Sequence, residues 1–129
     1  MFNKILGIDF GLSQAGLSFS DGLLAQPFGS LKTIDIDNAI TKIAKIVEKQ
    51  GIDKIVIGIS ERDMAKKTKE FGEKIKNITG KQVIYQDETL TSFEAKQLMV
   101  KSGKPRKKRR SEEHQVAACM ILQDFLDSL

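Results

Sequence analysis

The stretch Lys4 to Asp21, KILGIDFGLSQAGLSFSD, limits what this chain can fold into more than any other. Ile5, Leu6 and Ile8 form an apolar run long enough for a strand and too short for a helix. Gly11 follows as a turn residue, and Ala15 to Ser20 alternates small or apolar with polar side chains, the pattern of a half-buried strand. Asp9 therefore falls at the exit of a central strand. An acid there is costly unless a metal ion, a helix N-terminus or a basic partner neutralises it. The other reading is a turn carboxylate that caps the backbone beside a glycine. The stretch alone leaves both open.

The remaining pattern builds on that hairpin. Leu23 to Thr33 reads as a third strand, and Pro27 and Gly29 mark it as an edge or bulged strand. Asp35 to Gln50 reads as a helix. Asp35 or Asp37 can cap it, Ile36, Ala39, Ile40, Ile43, Ala44 and Val47 form its stripe, and Gly51 ends it. Ile55, Val56 and Ile57 make an unbroken β-branched run, expected of a strand covered on both faces. Asp63 to Thr79 is helical again, with Met64, Thr68, Phe71, Ile75 and Ile78 on one face and lysines elsewhere. A short strand, Lys81 to Gln86, leads into Asp87 and Glu88. Thr91 with Glu94 forms a capping box for a helix to about Ser102, and Ser111 is placed to cap a last helix, Glu112 to Leu126. The expected order is β-β-β-α-β-α-β-α-α. It packs most simply as one domain, residues 1–129, of the α/β class: a five-stranded mixed sheet, three antiparallel strands then two parallel, with helices on both faces.

Composition narrows the setting. With 129 residues, 40% hydrophobic and 29% charged, a single soluble core is expected. No apolar run approaches the roughly 20 residues a bilayer crossing needs, and no signal-peptide pattern opens the chain, so a cytoplasmic protein without a membrane partner is expected. The single cysteine, Cys119, lies among apolar residues in a helical pattern and reads as a small core residue. The net charge of +4 is uneven. Lys104, Arg106, Lys107, Lys108, Arg109 and Arg110 place six positive charges in seven residues, which leaves −2 for the rest of the chain. A mildly acidic body with one basic loop, Gly103 to Arg110, suits a polyanion such as nucleic acid, bound through its phosphates. The plainer reading of the run is a solvated linker.

Three residues form a candidate site. Asp9 ends the first strand and Glu88 the last, and ligands in such sheets gather at strand C-terminal ends. His114 is expected in the first turn of the final helix, on the face it shares with Ala118, Ile121 and Phe125. Ala117 and Ala118 allow that helix to approach the sheet closely. Two carboxylates and an imidazole can hold Mg²⁺ or Mn²⁺, and such ions activate water for phosphodiester hydrolysis. Equally, His114 can be a partly buried, hydrogen-bonded helix residue.

The segment GIDFGLSQAGLSFSD (residues 7–21), the run from Asp87 to Ala95, and the basic loop leading into HQVAACMILQDFLD (114–127) resemble the YqgF or RuvX family, in order and over essentially the whole chain. The resemblance implies a ribonuclease H-like fold and a nuclease that matures the 5′ end of pre-16S ribosomal RNA in ribosome biogenesis. The same family was proposed earlier to resolve Holliday junctions. It implies that Asp9 and Glu88 are metal-binding catalytic acids, with His114 where the family carries a third acid. The chain departs from the family at Ser13 and Gln14, where a Lys-Arg pair is usual, and at Thr89, where Arg is usual. Its loop after the central strand, Ser60 to Asp63, is short.

The expected activity is thus a divalent-metal-dependent endonuclease acting on pre-rRNA, with catalytic Asp9, Glu88 and His114 and nucleic-acid contacts from Lys104 and Arg106 to Arg110. Ribosomal precursor particles are expected partners. The alternatives are a resolvase acting on branched DNA, which needs a homodimer for paired cuts where a single-strand RNA nuclease works as a monomer, and a non-catalytic nucleic-acid-binding module. A phosphate-binding ATPase is the remote alternative, since the chain is too short for two nucleotide-clamping lobes.

Overall fold

The computed structural model describes residues 3–60, 63–87 and 106–129. The elements are β1 (Ile5–Phe10), β2 (Gln14–Ser20), β3 (Gln26–Lys32), α1 (Ile36–Gln50), β4 (Lys54–Ile59), α2 (Asp63–Thr79), β5 (Gln82–Asp87) and α3 (Arg106–Asp127). They form one five-stranded sheet in the order β3-β2-β1-β4-β5. β1 pairs antiparallel with β2 and β2 with β3, while β4 runs parallel to β1 and β5 parallel to β4. This is the expected mixed sheet. β3 is its edge, and the register shifts between Leu17 and Ser18 opposite the Pro27–Gly29 segment. A proline cannot donate to a ladder, so the edge is where it fits.

Side-chain alternation along β1 sorts the two layers. Leu6, Ile8 and Phe10 join Ala15 and Leu17 of β2, Ile55 and Ile57 of β4, and the buried faces of α1 and α2. Ile5 and Val56 point to the other face, against Ile121, Leu122 and Phe125 of α3. Full burial of each such side chain contributes about 1.5–3 kcal/mol, so the larger α1–α2 layer carries most of the fold.

The helices follow local chemistry. Asp35 caps α1 by accepting a hydrogen bond from the Asn38 backbone N–H at 3.2 Å. Gly51 closes it in the left-handed conformation at φ 66°. Along the expected stripe, Ala39, Ile40, Ile43 and Val47 are fully buried. In α2, Thr68, Phe71 and Ile75 are buried, but Ile78 is 60% exposed because it falls in the last turn, beyond the reach of the sheet.

The last helix departs from expectation. α3 begins at Arg106, so residues 106–110 are its opening turns and not a loop, and Ser111 is no cap. Arg and Lys are good helix formers, and no residue from Arg106 onward breaks the helix. His114 is accordingly in the third turn of α3. The Ser111 hydroxyl shares a hydrogen bond with that of Ser30 at 2.8 Å, tying α3 to the edge strand. Glu88, Lys104 and the helix expected from Thr91 to about Ser102 lie outside the described residues.

Candidate active site

Asp9 and His114 meet. The carboxylate oxygen Oδ2 of Asp9 lies 2.7 Å from Nδ1 of His114, 105 residues further along the chain. Asp9 is only 5% exposed, so the imidazole is the partner that makes its burial tolerable. An ionised carboxylate only accepts, so Nδ1 carries the hydrogen and donates, and Nε2 is then the ring nitrogen bearing the lone pair in the neutral imidazole. A tautomer fixed this way is what a metal-binding or proton-handling histidine requires.

The pair exists because α3 lies unusually close to the sheet. Asp9 pairs with Gly16, and Gly16 with Ser30, so the three form one row across the strands. Over that row α3 sets Ser111 on Ser30 and His114 on Asp9. A Cβ at Gly16 would collide with the backbone carbonyl carbon and oxygen of His114 and would lie 2.5 Å from the Gln115 nitrogen. Only glycine leaves the helix this depth. One turn on, Ser18 donates a buried hydrogen bond to the Ala118 carbonyl at 2.7 Å. Gln123 holds the Ala25 backbone N–H at 3.0 Å further along. Ala117 and Ala118 are buried as expected. Gly16, under His114 and Gln115, and Ser18, bonded to Ala118, are not singled out by the sequence, although the small residues alternating through Ala15 to Ser20 are the signal.

The turn after Asp9 is anchored from behind. Thr33, 1% exposed, donates its hydroxyl to the Gly11 carbonyl at 2.6 Å, and its backbone N–H reaches the Ser13 carbonyl at 3.1 Å. Gly11 faces the imidazole: a Cβ there would lie 3.1 Å from Cε1 and 3.5 Å from Nε2 of His114. Sequence inspection marked Gly11 as a turn residue and missed Thr33, whose role depends on a contact 22 residues away.

Of the expected ligands the structure brings Asp9 and His114 together. Among the described residues no group of three or more His, Cys, Asp or Glu gathers as a metal site. β5 ends at Asp87, on the far side of β4 from Asp9, and Glu88 is the next residue along. The donor chemistry fits a divalent cation: a buried carboxylate at a strand end and an imidazole held by it through Nδ1. The basic residues 106–110 occupy the first turns of the helix that carries His114. Cations are unfavourable at a helix N-terminus, whose partial charge is positive, so helix stability alone does not account for this run.

The model of the RuvX family, described as Holliday junction resolvase, matches residues 3–128. A protein of Lactococcus lactis subsp. cremoris named "Putative pre-16S rRNA nuclease" is 34% identical over 99% of this chain and 96% of its own length. A protein of Agathobacter rectalis with the same name is 34% identical over 98% and 96%. Among solved structures, Thermus thermophilus RuvC in complex with a Holliday junction superposes with a TM-score of 0.65 at 11% identity, covering 98% of this chain and 96% of that one. The Fowlpox virus resolvase bound to junction DNA gives 0.61 at 10% identity, covering 97% of each chain. Identities that low show the fold alone, which is ribonuclease H-like. The family rests on the sequence match, which runs through both Asp9 and His114, and on that match this chain belongs to the RuvX family.

Proposed function

We propose that this protein is a divalent-metal-dependent nuclease that hydrolyses phosphodiester bonds of pre-16S ribosomal RNA at its 5′ end. The observation that carries the reading is the buried Asp9 carboxylate at the end of the central strand, paired to His114 from α3, in a RuvX-family chain. The relatives named for pre-16S rRNA support the substrate.

Asp9, Glu88 and His114 would hold Mg²⁺ or Mn²⁺, which when bound supplies activation of the attacking water and stabilisation of the leaving oxygen. The protein's own part is positional. Asp9 holds the imidazole through Nδ1, so that the lone pair on Nε2 is directed and not averaged over rotamers. Gly16 and Ser18 set the depth of α3 and hence where His114 sits. Thr33 keeps the 11–13 turn from shifting as substrate arrives. Lys104 and Arg106 to Arg110 grip phosphates of the same strand, replacing the charge absent at Ser13, Gln14 and Thr89. This role belongs in the cytoplasm, on ribosomal precursor particles, and requires only a monomer.

The test is cleavage of an RNA spanning the 5′ end of the 16S precursor, and of a four-way DNA junction, with Mn²⁺ or Mg²⁺. Wild type is expected to cut the RNA and Asp9→Asn to lose nearly all activity. Equal cleavage by both would overturn the assignment. Paired cuts in the junction with the RNA left intact would favour the second reading, a dimeric resolvase, which the family description supports.

A further inference from the structure

We propose that the cleft between the start of α1 and α2, at the C-terminal end of β1, is a nucleobase subsite that seats one unstacked base of the bound strand. This deepens the nucleic-acid reading above and rests on it. Asp9 and Phe10 are consecutive at the C-terminal end of β1, so their side chains leave opposite faces of the sheet at the same end. Asp9 meets α3, whereas Phe10 joins the α1–α2 layer. A strand draped over the Gly11–Ser13 turn therefore reaches the carboxylate on one side and this cleft on the other.

The cleft has about 310 Å³ of space, near the lower end of the roughly 300–1,000 Å³ usual for ligand pockets. That suits a single base better than a large cofactor. Phe10 and Phe71 line its floor, 6% and 2% exposed, and stack on each other with ring centroids 4.4 Å apart at 27°. Leu12 and Ile34 form its walls and are 59% and 79% exposed, large apolar groups left in water beside the site. Enzymes that hold an extruded base grip it between such side chains. On α2, Lys67 and Lys74 are seven residues apart, hence on one face, and both line the cleft where they can meet flanking phosphates. Glu70 lies between them and can accept from an exocyclic amine, which favours cytosine, adenine or guanine over uracil. The bonds from Thr33 to Gly11 and Ser13 fix the cleft to the turn that follows Asp9. A larger cavity beside the C-terminal ends of α1 and α2 is lined by Glu48 and Asp53 with only Lys81 against them, a balance that opposes a polyanion.

The probe is a short single-stranded RNA with a terminal fluorophore, bound to the full chain in EDTA so that cleavage plays no part. An abasic nucleotide is walked along it. Stacking of one base is worth about 1–3 kcal/mol, so one position is expected to weaken binding by about 5- to 150-fold while its neighbours change little. The Leu12→Ser/Ile34→Ser variant, altered only at exposed walls, is expected to bind weakly and to show no further loss at that position. Lys67→Ala/Lys74→Ala is expected to lower the salt slope by about 1.4 for two single-strand phosphates. A flat abasic scan of the wild type overturns the subsite and needs no variant to fold. So does a wall variant that remains sensitive at the same position. If the scan is flat while Asp9-dependent cleavage persists, the subsite alone fails. If the scan is positive while Asp9→Asn cleaves like wild type, the nuclease reading fails and the subsite stands.

Discussion

Replacing Gly16 by alanine probes the link between packing and site. The added methyl meets backbone atoms of His114 and Gln115, which cannot swing aside as a flexible side chain can. Overpacking of this kind costs about 1–3 kcal/mol, and a rigid obstacle puts Gly16→Ala near the top of that range. The helix must lift, which strains the bonds from Ser18 to Ala118 and from Ala25 to Gln123. For 129 residues at about 2.1 cal/mol/K each, a loss of 2–3 kcal/mol lowers Tm by about 7–11 °C. His114 is the only histidine, so its ring nitrogens give uncrowded NMR signals. In wild type they should report an Nδ1–H tautomer bonded to Asp9, and in Gly16→Ala that signature should fade toward a solvent-like ring. Ser18→Ala is the companion. It removes one buried hydrogen bond that seats α3, costs about 1 kcal/mol, and should weaken the His114 signature less than Gly16→Ala does. If Gly16→Ala melts within about 2 °C of wild type with unchanged ring signals, the close approach of α3 is not what positions His114.

Other outcomes follow from the same structure. Burial pushes the Cys119 thiol from 9.0 up to about 11, so at pH 8 the folded protein should alkylate about 100-fold more slowly than its unfolded chain, since only thiolate reacts. The folded-state value is raised, so this contribution to stability is complete below pH 9.0 and is lost as pH rises through about 11. Tm should therefore fall across that window, and Cys119→Ala should make the fall shallower. Tyr85, raised by burial and by Glu73, acts in the same direction above its ordinary value. Neutralising Arg106 to Arg110 should weaken RNA binding at low salt and reduce the salt slope by about 0.7 for each phosphate that these side chains neutralise; an unchanged slope removes this segment from the interface. Asp35→Ala should cost about 1 kcal/mol through loss of the α1 cap, measured by denaturant unfolding, and should leave the His114 signals unmoved.

Sequence made the sheet legible because its strands differ in kind. The β-branched run at Ile55 to Ile57 belongs to a strand covered on both faces, and the Pro27–Gly29 interruption can only sit at an edge. Asp9 and His114 were legible as candidates because an acid at a strand exit and a histidine on an apolar helix face both need a reason. Their contact was not legible, since it depends on helix depth, and depth is set by Gly16 and Ser18 against a helix that follows them only at the far end of the chain. The start of α3 was misplaced for a related reason. Ser111 looks like a cap, yet its hydroxyl finds Ser30 on the edge strand, a tertiary partner that local pattern does not reveal. Ile78 fits a helical stripe that outlasts the sheet beneath it.

Whether Asp9 and His114 belong to a metal-dependent centre is decided by Mn²⁺ anomalous scattering from crystals of the wild-type protein and of Asp9→Asn. A Mn²⁺ peak is expected at the Asp9–His114 pair in the wild type, absent or much weakened in the variant. Crystals with no peak there, at a Mn²⁺ concentration that supports cleavage in solution, would contradict it.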